Sequence, residues 1–138
     1  MAFSESPTLA SFVAGATFST ADLYKIVHLT TSGEVILSTS SDTYGLGTLY
    51  GKTNSTSSTG VEAVPVAVAG VVKCQLAAST KAAGGWIAAS SDGLGVAPTS
   101  ELQPFGRIVS GSSGAVNRVV SVLIDRTMLT TGSVLAGA

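Results

Sequence analysis

One pattern, present twice, constrains this chain more than any other feature of its sequence. Each copy holds a short apolar strand, a Ser-Gly or Asp-Gly turn, a second strand, an apolar-Gly-apolar step, a Ser/Gly-rich loop and a closing valine strand. The first copy runs from Leu23-Tyr24-Lys25-Ile26-Val27-His28-Leu29 through Ser32-Gly33 to Glu34-Val35-Ile36-Leu37. It continues to Leu46-Gly47-Thr48-Leu49, crosses 54–60 and closes on Val64-Pro65-Val66-Ala67-Val68. The second runs from Trp86-Ile87-Ala88-Ala89 through Asp92-Gly93 to Leu94-Gly95-Val96-Ala97. It reaches Phe105-Gly106-Arg107-Ile108, crosses 110–114 and closes on Val119-Val120-Ser121-Val122-Leu123-Ile124. Turn glycine to step glycine is 14 residues in one copy (Gly33 to Gly47) and 13 in the other (Gly93 to Gly106). No charged or metal-binding side chain recurs. Gly33, Gly47, Gly93 and Gly106 therefore read as structural positions, and the repetition points to scaffold.

The runs between turns are rich in valine, isoleucine, threonine and aromatics, which suit a pleated, half-buried surface. Short strands with frequent turn signals predict an all-β chain, a small β-barrel or sandwich with an internal pseudo-repeat. Pro65 cannot donate to a ladder, so its strand is expected at an edge or with a bulge. Residues 1–20 lack a period of two and read as an extended N-terminal arm. The body spans 21–126, and 127–138 form a C-terminal tail. Three of four phenylalanines fall in the arm, and disordered tails are poor in aromatics. Phe3, Leu9, Phe12 and Phe18 are accordingly the expected partner-binding residues, and removing 1–15 should spare the body. Segment 77–85 is at most a helical turn joining the copies.

Composition narrows the function classes. Charged residues make up 11% of the chain, against about 25% in an average globular protein, and hydroxyl side chains fill the polar positions. Such a surface has little self-repulsion and little to desolvate, which suits a protein packed against others. The 7 basic and 8 acidic residues are scattered singly, so no stripe exists to neutralise phosphates and nucleic acid is not an expected partner. No apolar run approaches the roughly 20 residues of a membrane-spanning helix, and the first residues lack a secretory signal. No membrane partner and synthesis in a cytoplasm are the expectations. The single cysteine, Cys74, excludes an intramolecular disulfide and reads as a buried, inert thiol.

Catalytic and cofactor patterns fail on inspection. In Gly45-Leu46-Gly47-Thr48-Leu49-Tyr50-Gly51-Lys52-Thr53 the spacing of a phosphate loop would need glycine at Leu46, and a dinucleotide fingerprint would need it at Tyr50. Asn54-Ser55-Thr56 matches a glycosylation acceptor, which means nothing without export. His28, the only histidine, has no ligand spacing around it and no nucleophile elbow to serve. Trp86 reads as a core anchor, with Tyr24 in the matching place of the first copy. The expectation is a protein that is not an enzyme and uses no cofactor or metal.

The order of these elements resembles the capsid cement, or decoration, proteins of tailed bacteriophages. The resemblance covers roughly 23–125. It rests on the strand-turn pattern from Val27 to Ile36, the Leu46-Gly47-Thr48-Leu49 step and Val66-Ala67-Val68-Ala69-Gly70-Val71-Val72-Lys73. Gly84-Gly85-Trp86-Ile87-Ala88 ahead of Asp92-Gly93, Phe105-Gly106-Arg107-Ile108 and the strand from Val119 to Ile124 complete it. It implies a β-barrel-like body on the outside of a virion capsid, binding to the major capsid protein, homo-oligomers with trimers favoured, and an arm across the capsid surface. The loop from Lys52 to Gly60 and the tail after Asp125 exceed the usual pattern. Another structural β subunit, such as a tail-tube or head-fibre component, is the competing class, ahead of a small carbohydrate-binding β domain.

Overall fold

The computed structural model describes residues 6–39, 45–54, 62–77, 85–98, 104–111 and 118–125. Phe3, the connector at 78–84 and the tail at 127–138 lie outside the described residues. Among these residues ten strands carry the fold: β1 (Thr8–Ala14), β2 (Ile26–Leu29), β3 (Glu34–Leu37), β4 (Gly47–Leu49), β5 (Ala63–Ala69), β6 (Val71–Leu76), β7 (Trp86–Ala89), β8 (Gly95–Val96), β9 (Pro104–Ser110) and β10 (Arg118–Ile124). Among the described residues the only helical pieces are two three-residue 3-10 turns, Thr20–Asp22 and Ser91–Gly93. No helix there is long and apolar enough to cross a membrane.

The strands close into two five-stranded barrels. Barrel 1 has the cyclic order β1-β3-β2-β4-β5, and barrel 2 has β6-β8-β7-β9-β10. Both contain one parallel pair (β1 with β3, β6 with β8), and every other pair is antiparallel. Gly70 alone separates them, with φ +88.

The copies agree in register as well as in order. Val27 pairs with Gly47 in barrel 1, and Ile87 with Gly106 in barrel 2. Thr48–Ala67 and Leu49–Val66 correspond to Arg107–Leu123 and Ile108–Val122. Along the β1–β5 ribbon, Phe12–Val64, Ser11–Pro65 and Ala10–Val66 correspond to Cys74–Val120, Lys73–Ser121 and Val72–Val122. The turns match too: Gly33 donates to the Thr30 carbonyl at 3.0 Å and Gly93 to that of Ser90 at 3.2 Å. In this register the counterpart of Trp86 is Ile26, not Tyr24.

The repeat is thus longer than the sequence pattern shows, because each barrel begins with a strand that the pattern omits. In barrel 2 that strand is β6. In barrel 1 it is β1, which occupies the region expected to be a free arm. It pairs with β5 along its length and with β3 at Val13 and Ala14. The residues of this strand carry no clear period of two, because Phe12 is its one large inward side chain. The inward positions Ala10 and Ala14 are small, while Leu9 and Val13 point outward at 51% and 37% exposure. An eye tuned to large apolar residues facing inward finds no alternation there.

Pro65 also departs from expectation, since its strand has neighbours on both sides. Its ring faces Gly51, beyond the end of β4, where a Cβ on Gly51 would stand 2.6 Å from the proline Cδ. The missing N–H therefore falls where no strand remains to receive it.

Barrel 1 is filled by Phe18, Val27, Val35, Leu49, Val64 and Val66, and barrel 2 by Val72, Cys74, Leu76, Ile87, Phe105 and Val122 among others. The interiors alternate strictly on β5 and β10, where one residue in two enters the core.

Candidate interaction surfaces

The residues expected to form a partner-binding arm divide in the structure. Phe18 is buried in the core of barrel 1. Thr53, itself buried, clamps it: the Phe18 N–H donates to Thr53 Oγ1 at 3.0 Å. The Thr53 hydroxyl and N–H both donate to the Phe18 carbonyl, at 3.1 Å each. Phe12 packs against the same core from β1. Phe18 is therefore closed to a partner, and Phe12 keeps only part of its surface exposed. Leu9 is exposed on the outer face of β1, and Phe3 lies outside the described residues.

The four structural glycines sit as the repeat requires. Gly33 and Gly93 have φ +83 and +72, a region that side chains with a Cβ rarely adopt. A Cβ on Gly47 would run into the Ala67 carbonyl oxygen, and one on Gly106 into the Leu123 carbonyl oxygen. Ala67 and Leu123 are equivalent positions, so the same close approach of β4 to β5 and of β9 to β10 demands glycine twice.

The two barrels grip each other through one asymmetric joint. Strand β6 presents Gln75, whose N–H donates to the Tyr24 carbonyl at 2.8 Å. Its side-chain Nε2 donates to the Ala21 and Leu23 carbonyls at 2.9 and 2.7 Å. The Lys73 N–H donates to the Tyr50 hydroxyl at 2.8 Å, and its ammonium stands 5.5 Å from the Tyr24 ring centre. Tyr24 and Tyr50 meet edge to face at 5.2 Å, an attractive geometry for aromatic quadrupoles. Tyr24 holds φ +69 to make this contact. From barrel 1, the outward side chains of Ile26 and Ala67 join the core cluster of barrel 2, and Thr48 between them is fully buried. The Gly93 turn closes the other side, donating to the Ser38 carbonyl at 3.0 Å.

Equivalent positions on each barrel remain open. The counterparts of Ile26, Thr48 and Ala67 are Trp86, Arg107 and Leu123. Trp86 is half-buried on the outer face of barrel 2, and its expected place in the core is taken by Ile87. The Arg107 guanidinium lies over the indole at 5.0 Å; Arg107 is exposed, and Leu123 is 38% exposed. The counterparts of Lys73 and Gln75 are Ser11 and Val13, both exposed on β1. Period-two counting could have found the Trp86–Arg107–Leu123 row. Ile87, Ile108 and Val122 point inward, so the residue beside each must point out.

Burial pushes the Cys74 thiol up to about 12, which leaves it protonated and unreactive. Burial also lowers the His28 imidazole below its ordinary value, and its Nδ1 is buried with no hydrogen-bond partner among the described residues. No group of three His, Cys, Asp or Glu side chains that could hold a metal comes together among the described residues. No protein-family model matches the chain, and no curated protein matches it.

Proposed function

We propose that this chain is a structural virion protein that binds the outer surface of a phage capsid through the major capsid protein and stabilises the capsid lattice. One observation carries the reading: between two barrels of the same strand order, with matching register at their central pairs, backbone geometry is kept and polar chemistry is not. His28 is matched by Ala88, Lys73 by Ser11, Gln75 by Val13 and Arg107 by Thr48. A chain that repeats its scaffold while letting each polar position vary is built to span and present surface. The motif order shared with capsid cement proteins supports the same role. A clamp across a subunit seam contributes binding free energy only to the assembled shell, and many weak contacts on one lattice reinforce each other through effective concentration.

The barrel body replaces the arm as the source of contacts, since β1 is part of barrel 1, Phe18 is buried in its core and Phe12 packs against that core. Among the described residues Leu29, 47% exposed at the end of β2, is the most exposed large apolar side chain besides Leu9. The test is to mix purified protein with undecorated phage heads, sediment the heads and heat them. Saturable co-sedimentation with a raised temperature of DNA release is expected. Heads that bind nothing overturn the proposal, and binding to tails alone moves the chain to the tail-tube or head-fibre class.

A further inference from the structure

We infer that barrel 2 docks on barrel 1 of a second copy of this chain, through the pair of faces equivalent in position to those that join the two barrels within one, with different side chains on them. The occupant is named by the molecule itself. The row Ile26–Thr48–Ala67 is covered by a barrel of the same strand order, and among the described residues the equivalent row Trp86–Arg107–Leu123 has no such cover. The receiving side is open in the complementary sense. Gln75 on β6 is buried where barrel 1 grips it, whereas its counterpart Val13 on β1 is 37% exposed beside exposed Ser11. Each molecule therefore carries one used joint, one free donor face on barrel 2 and one free acceptor edge on barrel 1.

The residue types fit an interface. Tryptophan and arginine, here stacked on each other, are residue types enriched in binding hot spots. On the acceptor edge, Leu9 and Val13 flank Ser11 and supply an apolar complement of low charge. Because donor and acceptor differ, the contact is heterologous and propagates head to tail, closing into a ring or continuing as a filament. It does not depend on the capsid reading, since it needs only this chain.

Two substitutions test it with the full-length protein. Leu123→Glu damages the donor face, and Val13→Lys damages the acceptor edge. Both sites are solvent-exposed, so circular dichroism melts should show folded protein; Arg107→Asp is the second donor-face variant. Sedimentation velocity and light scattering over a concentration series up to about 100 μM, a range where modest self-affinities register, should show mass rising with concentration for the parent. Each single variant should stay monomeric, its self-affinity down by more than about tenfold. An equimolar mixture of Leu123→Glu and Val13→Lys should then give a 1:1 dimer that grows no further, because only one good donor meets one good acceptor. A monomeric parent overturns the inference. So does dissociation by the donor-face variants while Val13→Lys assembles normally, the mark of a symmetric contact. Unchanged assembly in every variant also overturns it. Head binding measured separately keeps failure here distinct from failure of the capsid assignment.

Discussion

In barrel 1 the outward side chains of Ile26, Thr48 and Ala67 are sealed beneath barrel 2, while in barrel 2 the same positions hold Trp86, Arg107 and Leu123 and face outward. The backbone beneath the two rows is paired in one register throughout. Each barrel keeps its inward apolar residues and one close-approach glycine. The outward residues answer to whatever lies against them. Small or compact side chains appear where a neighbouring barrel presses, and Thr48 Oγ1 is left there without a hydrogen-bond partner among the described residues. Larger ones appear where no barrel of the same molecule presses.

The sharpest way to break this comparison is to remove the first strand from one barrel. Deleting residues 1–15 strips β1, and with it the inward Phe12 and Ala14 and all bridges to β5. Loss of a whole strand exceeds the roughly 5–15 kcal/mol by which domains are stable. The deletion is expected to abolish cooperative thermal unfolding, whereas deletion of 1–5 should leave the midpoint near that of the parent. A 1–15 deletion that still melts cooperatively would restore the free arm.

Next come the glycines under the two rows. Gly47→Ala and Gly106→Ala each drive a Cβ into a carbonyl oxygen of the neighbouring strand. Overpacking against backbone costs about 3 kcal/mol. Gly47→Ala should be the worse, since Ala67 is held from behind by barrel 2 and Leu123 can yield toward solvent. Urea midpoints of the two variants compare them directly, and equal losses would mean that the joint does not stiffen β5.

The paired turns give a smaller contrast of the same kind. At Gly33 a Cβ meets nothing within 4 Å, so Gly33→Ala carries only the left-handed backbone penalty of about 1–2 kcal/mol. At Gly93 the added Cβ would also stand 2.7 Å from the Ile26 carbonyl oxygen and 3.0 Å from Lys25 Cβ. Gly93→Ala should therefore lose about 1 kcal/mol more than Gly33→Ala. The excess reads the tightness of the joint.

The smallest effect concerns His28, matched in barrel 2 by Ala88. Burial holds its imidazole below the ordinary 6.5, so near that pH the unfolded chain binds more protons than the folded one. Stability from this source is complete above 6.5 and declines as the pH falls toward the lowered value. Between pH 7.5 and 5.5 the parent should lose more of its urea midpoint than His28→Ala does. Identical slopes would show that burial of the ring has no consequence for folding.

Much of this molecule was legible in the order of its residues. Paired spacing at Gly33–Gly47 and Gly93–Gly106 identifies equivalent turns and steps, because a position that excludes a Cβ does so wherever the same backbone recurs. Valine alternation marks β5 and β10 for the same local reason. Strand β1 was not legible, since alanines face the core and Leu9 and Val13 face out. Trp86 misleads by its size alone.

The sequence by itself determined an all-β chain, its duplication, and the glycines that the duplication cannot do without, all consequences of short-range sterics and a period of two. Only tertiary structure decided that β1 belongs to the body, that Phe18 is a plug and not an anchor for a partner, and which outer face is covered. Those outcomes depend on barrel closure and on the seating of one barrel against the other. They are contacts between residues far apart in the chain, and no local pattern of hydrophobicity encodes them.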